Sequence, residues 1–293
     1  MKQNNRARET VMIKSFFVNV SLIVVKVFGG VLFGSAALIA DALHSFSDFL
    51  SDILVIFGLR HSNKPPDAEH PIGHGKIEYV LSLFLGMMVL FMAYQVFYNL
   101  FANIGETPVV PSIYGMGIAG GVIIAKLFLA RYLLFKAENL ESQVLKASGQ
   151  ESFTDVLGSV VVIIGIALAL IGARINNDLL LYGDLLAAFV IGLFILRVAI
   201  LIIVDAVRSM IGKSAPKTTL QKTKDIAESI EGVIRVDKLT MIVYGHYYQV
   251  LVDIRVDGTI SVKEGHDVAN EVKRALLSEK NIGHVIVHVN PEG

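Results

Sequence analysis

Residues 35–52 read SAALIADALHSFSDFLSD, and the fold turns on how this stretch is understood. It lies in an apolar run long enough to cross a bilayer, yet it carries Asp41, His44, Asp48 and Asp52. At about 100° per residue those four positions, with Ser45, share one stripe of a helix. The rest of that helix is Ala, Leu, Ile, Phe and Val. A single Asp at mid-bilayer costs roughly 2.5–3.5 kcal/mol. Three of them with a histidine insert only if the stripe faces a watery cavity or a bound cation, so the cluster reads as a functional site with the ligands of a divalent metal.

Composition agrees with a membrane chain. The 293 residues are 54% hydrophobic and 18% charged, with a mean hydropathy of +0.61, too apolar for a water-soluble globule. The formal net charge is zero, which gives no reason to expect nucleic acid as a partner. There is no cysteine, so disulfides and thiolate ligands are excluded and any metal is held by His, carboxylates and water. The polar start MKQNNRARET runs into the first apolar segment without a small-residue cleavage site, as a cytoplasmic lead-in does and a cleaved signal does not.

A core of about 30 Å takes roughly 20 helical residues. Six segments qualify, near 11–33, 36–59, 78–102, 113–135, 144–172 and 179–211. The third, fourth and sixth read as clean apolar runs, whereas the second and fifth are polar along one stripe. The first carries Lys14 and Lys26, placed to snorkel or to face protein. Basic residues sit before the first span (Lys2, Arg6, Arg8) and after the second (Arg60, Lys64, Lys76). They recur after the fourth (Arg131, Lys136, Lys146) and the sixth (Arg208, Lys213, Lys217), while the opposite loops hold only Arg174. Both termini are therefore expected in the cytoplasm, in the cell membrane of a multi-pass protein.

From Ser214 the texture changes. KTTLQKTKDIAESI reads as an amphipathic helix, Val233 to Tyr244 and Tyr247 to Val256 as strands, Ser261 to Ser278 as a second helix, and His284 onward as a last strand. The expected architecture is thus a six-helix transmembrane domain over 1–213 and a cytoplasmic α+β domain over 214–293 in ferredoxin-like αββαβ order.

HSFSDFLSD at 44–52 is echoed by ESFTDVLGS at 151–159, a constant offset of 107 residues. The fifth-span stripe Ser148, Glu151, Ser152, Asp155, Ser159 has the rotational register of the second-span stripe. With six spans and both ends inside, these two helices run in opposite directions, the logic of inverted-repeat transporters whose site lies where the halves meet. Residues four apart lie one above the other. His44 with Asp48 and Glu151 with Asp155 can therefore converge on one ion, a four-ligand N/O set suited to a first-row divalent metal. Asp41, Ser45 and Ser152 are expected around those ligands, Asp52 at a vestibule, and Asp184 at the membrane interface.

These residues resemble the cation diffusion facilitator family of divalent-metal/proton antiporters, over nearly the whole chain. The loop Pro66-Asp67-Ala68-Glu69-His70-Pro71-Ile72-Gly73-His74-Gly75-Lys76-Ile77-Glu78 is similar to the family's loop after helix two. The resemblance implies a transport site of His44, Asp48, Glu151 and Asp155. It also implies a second metal site of Asp67, His70 and His74, and a C-terminal site of Asp253, His266 and His288 at the interface of a homodimer. Glu151 stands where zinc-selective members usually have His, which tilts the expected cargo among zinc, manganese, iron and cobalt toward the last three without excluding zinc. The family's dimer lock pairs the loop lysine, here Lys76, with an Asp at the end of helix six. Gly212 occupies that place, and Asp205 is the possible substitute.

The implied function is export of a divalent transition metal in exchange for protons, with membrane lipid and a second copy of the chain as partners. The divalent ion serves as cargo and regulator, and no organic cofactor is expected. A metal-gated channel is the alternative; it requires weak, multiple sites along a pore. An intramembrane metallohydrolase finds no His-Glu-x-x-His on any helix, so an enzyme is not expected.

Overall fold

The computed structural model describes residues 2–62, 64, 66–102, 107–140 and 142–293, and within these the backbone alone of 2–9, 55–60 and 143. Lys2, Arg6, Arg8 and Arg60, among the basic residues behind the expected orientation, have side chains outside the described ones. Contacts group the chain into two compact units, 1–53 with 85–200, and 54–84 with 201–293. The expected division at 213/214 is one of environment, membrane against water; the units are groupings by contact.

Among the described residues seven helices precede the C-terminal domain: α1 Lys2–Phe33, α2 Ala36–Ser62, α3 Ile77–Ala102, α4 Ile113–Asn139, α5 Gln143–Ile175, a single turn α6 Asp178–Leu181, and α7 Gly183–Met210. Helix α1 begins well before the first apolar run, because Lys, Arg, Gln and Glu in the lead-in are good helix formers. Among the described residues five helices are long and apolar enough to cross a membrane: α1 from Thr10, α3, α4, α5 and α7. At 27 residues α2 has the length, and its three aspartates are what set it apart from those five. The expected sixth span is broken at Tyr182, which ends α6, so α7 starts at Gly183.

Within the first unit α4 packs along α5 and α1 packs on α4. Asp184 ties α7 to the start of α2. Its Oδ1 accepts from the Ser35 hydroxyl (2.7 Å) and its Oδ2 from the Ala36 N–H (2.6 Å). The Ala36 N–H is a donor that a helix N-terminus cannot satisfy internally. Asp184 is 3% exposed, so at its place near the span's end it serves as a buried cap.

The C-terminal domain comprises α8 Lys217–Glu228, β1 Arg235–Tyr244, β2 Tyr247–Asp257, α9 Val262–Leu277 and β3 Ile282–Glu292, the expected αββαβ order. The sheet order is β1-β2-β3; β1 and β2 form an antiparallel hairpin and β3 runs parallel to β2. A parallel neighbour needs a long crossover, which α9 supplies. Period-two alternation puts Val250, Val252, Ile254 and Val256 on one face of β2, buried with Val285 against Ala227, Val272 and Leu276 of the helices. Each such side chain contributes about 1.5–3 kcal/mol on burial. Helix α9 is fixed at its start by a capping box between Ser261 and Glu264.

Gly212 has φ +99° just past the end of α7. A left-handed residue there stops the helix, and glycine adopts it without a Cβ clash.

Candidate functional site

Among the described residues two groups of His and carboxylate could hold a metal ion: His44, Asp48 and Asp155, and Asp67, His70 and His74. In each group one ligand atom per residue lies within 4.8 Å of the others.

The first group joins α2 to α5. His44 Nε2 is 4.0 Å from Asp48 Oδ2, one helical turn away, and both side chains are about a quarter exposed. Asp155 is buried. His44 Nδ1 makes no hydrogen bond among the described residues. Glu151, the expected fourth ligand, is not within the group and is exposed. It lies on the same face of α5 as Asp155 but about 6 Å nearer the helix start, four residues at about 1.5 Å each.

Two lysines enter this part of the molecule. Lys26 of α1, which sequence placed either at the lipid surface or against protein, faces protein. It is fully buried, with Nζ 2.8 Å from Asp41 Oδ2 and 2.9 Å from Ser45 Oγ. The Ser159 hydroxyl donates to the same Asp41 oxygen at 2.9 Å, joining α5 to α2. Asp41 and Ser45 therefore answer a cation of the protein itself, one to two turns from Asp48 along α2. Ser152 is buried as well.

The second lysine was missed. The fourth span reads as a clean apolar run, yet Lys126 lies at its middle and its Nζ contacts Asp155 Oδ2 at 2.5 Å and Asn19 Oδ1 at 3.0 Å. Its side chain is 5% exposed. The signal was available: one charged residue amid Ile124, Ala125, Leu127 and Phe128 carries the same insertion cost that singled out Asp48.

The sequence offset of 107 reappears in space. Asp48 and Asp155, 107 apart, share the group, and Asn19 and Lys126, also 107 apart, are hydrogen-bonded. Two pairs of residues with the same sequence offset thus meet in space.

The loop group is local. Asp67 Oδ1 accepts from the His70 N–H at 2.7 Å and the Glu69 N–H at 3.0 Å. Oδ1 is also 3.3 Å from His70 Nδ1, and Oδ2 is 3.3 Å from His74 Nε2. The backbone N–H of His70 is the main reason the Asp67 carboxyl is held below its ordinary value. The loop is anchored to the β1–β2 turn: Tyr247 Oη donates to the Ile72 carbonyl at 2.6 Å, and the Gly245 N–H donates to Tyr79 Oη at 2.6 Å. Burial at this seam pushes the Tyr247 hydroxyl up to about 12. A Cβ on Gly75 would stand 2.6 Å from the Tyr244 carbonyl, so Gly75 is a close-approach residue.

The dimer-lock candidates do not meet within the chain. Asp205 pairs with Lys213 at 2.6 Å, and Lys76 Nζ lies 5.5 Å from the Tyr244 ring centre. In the C-terminal domain Asp253 and His288 are register partners on adjacent strands, on the sheet face opposite the buried valines. His266 is exposed on α9, which packs on the other face, so one copy of the chain does not bring it to them.

Comparison with known proteins agrees with this architecture. The family described as "Cation efflux transmembrane domain" matches residues 12–211, and the one described as "Cation efflux protein, cytoplasmic domain" matches residues 215–292. The chain is 33% identical to the uncharacterized transporter MJ0449 of Methanocaldococcus jannaschii, over 97% of this chain and 99% of that one. It is 28% identical to the manganese efflux system protein MneP of Bacillus subtilis, over 93% and 92% of the two chains. It is 32% identical to MneS, a manganese efflux system protein of the same organism, over 91% and 90%.

Proposed function

Because the chain belongs to the cation diffusion facilitator family of metal efflux transporters, we propose that it exports a divalent transition metal, with manganese the favoured cargo, from the cytoplasm in exchange for protons. The observation that carries this reading is the convergence of His44 and Asp48 on α2 with Asp155 on α5. One imidazole with carboxylates is a hard donor set that suits manganese, iron or cobalt better than a site of two imidazoles does. The manganese efflux systems among the relatives point the same way.

In this reading the ion needs His44 neutral and the carboxylates ionised, so metal and protons compete for the same atoms. Glu151 completes the ligand set by reaching along α5, and Asp52 lines the approach. The two halves rock about the shared site and expose it to each side in turn. The transport domain spans 1–213, both termini are cytoplasmic, and the protein works as a homodimer in the cell membrane. The loop residues Asp67, His70 and His74 bind a second ion. Asp253 and His288 of one copy, with His266 of another, bind a third that biases the dimer toward transport.

The test is manganese-driven proton movement in inside-out vesicles. Wild type should accumulate manganese only with a proton gradient and release protons as it does so. Manganese current without proton movement would instead mark the chain as a channel, and no flux that depends on Asp48 would remove the transport reading.

A further inference from the structure

Two lysines are buried among the first unit's helices, and they are not equivalent. Lys26 is matched by Asp41, which lies outside the candidate metal group. Lys126 is matched by Asp155, which lies inside it. Asn19 on α1 accepts a hydrogen bond from the same ammonium, so the cation is held at the group from two sides. We propose that Lys126 is a tethered cation of the ion site: its ammonium and the transported metal compete for Asp155 Oδ2, and this competition sets both the affinity and the valence selectivity of the site. The inference rests on the reading of His44, Asp48 and Asp155 as the transport site.

Relative gain decides which cation Asp155 holds. A carboxylate already holding an ammonium at hydrogen-bond distance offers little to a singly charged ion, which merely replaces one positive charge by another. A divalent ion brings twice the charge to Asp155 and also gains His44 and Asp48, so it displaces the ammonium where sodium or potassium does not. The displaced ammonium stays nearby on its four-carbon stem, with Asn19 still within reach, and repels the bound metal. The site thus binds weakly enough to release its cargo, and the lysine that keeps monovalent ions out also helps the divalent ion to leave. The exchange is one of ionic contacts and involves no bond making.

The competing explanation is that the Lys126–Asp155 pair only fastens α4 to α5. Equilibrium manganese binding to the purified full chain separates the two, using K126M, K126Q, K126R and D48N, with transport kinetics measured in vesicles. The expected result is that K126M and K126Q bind manganese at least about 10-fold more tightly than wild type. They should also show lower KM together with lower kcat, and become sensitive to sodium as a competitor. K126R, which keeps the charge, should behave as wild type. Unchanged or weaker manganese binding in neutral variants that elute as wild type overturns the proposal. So does tightening by K126R equal to that of K126M, because charge is then irrelevant. If the neutral variants fail to fold while K126R folds, the lysine is a packing cation and the proposal is lost. D48N tests the underlying reading separately: undiminished manganese binding by D48N refutes the ion site itself, whatever Lys126 does.

Discussion

The two His-carboxylate groups use the same chemistry under opposite conditions. Asp67, His70 and His74 lie within eight consecutive residues of one loop; the aspartate is half exposed and satisfied by backbone N–H groups of its own turn. His44, Asp48 and Asp155 come from two helices, and Asp155 is buried against a lysine from a third. A site in water needs only a turn that points its side chains together. A site among apolar helices must balance every charge it holds, because an uncompensated ion there is expensive. The helix group is therefore embedded in a wider set of polar residues, Lys126, Asn19, Lys26, Asp41 and Ser159, and the loop group is not.

The largest effect expected from this contrast is at the helix group. D48N or D155N should reduce manganese accumulation in inside-out vesicles to background, while H70A with H74A should leave most of it. Comparable losses in both would erase the distinction. Next in size is the charge balance itself. K26M leaves Asp41 buried without its cation and should lower stability by about 3–5 kcal/mol, seen as a reduced melting temperature of the purified chain. K26M combined with D41L should recover most of that loss, and a K26M variant as stable as wild type would show that the pair carries no burden.

A smaller effect is expected where the loop group is anchored. G75A places a methyl against the Tyr244 carbonyl and should cost about 1–3 kcal/mol of local stability. Faster hydrogen exchange across 66–78, with the helix group's metal binding unchanged, is the expected readout. The least effect is expected from moderate acid on Asp67. Its folded value is depressed below 3.8, so its hydrogen bonds favour the loop structure fully above that value and lose their contribution only as pH falls through the lower, folded one. Lowering pH from 7 to 5 should leave the Asp67 turn intact by carboxyl NMR, and protonation of Asp67 within that range would show that its hydrogen bonds do not hold the carboxyl down.

Most of the architecture was legible without coordinates. Five of the expected apolar segments and the αββαβ order of the C-terminal domain follow from hydropathy and periodicity, which depend on neighbours along the chain. The stripe Asp41, His44, Asp48 was equally readable, because helical spacing fixes which residues share a face. Glu151 shows the limit of that reasoning: sharing a face with Asp155 does not settle whether a side chain one turn away joins the same group. The same limit applies to His266, whose helix covers the other side of the sheet from Asp253 and His288.

What periodicity alone determined, then, is which side chains can share a face, since a helix or strand imposes that on any sequence that forms it. Which charge answers which was decided by tertiary packing: Lys126 reaches Asp155 across 29 residues and Asn19 across 107. Both partners belong to other helices, and Coulomb's law acts over distance in space whatever the separation along the chain.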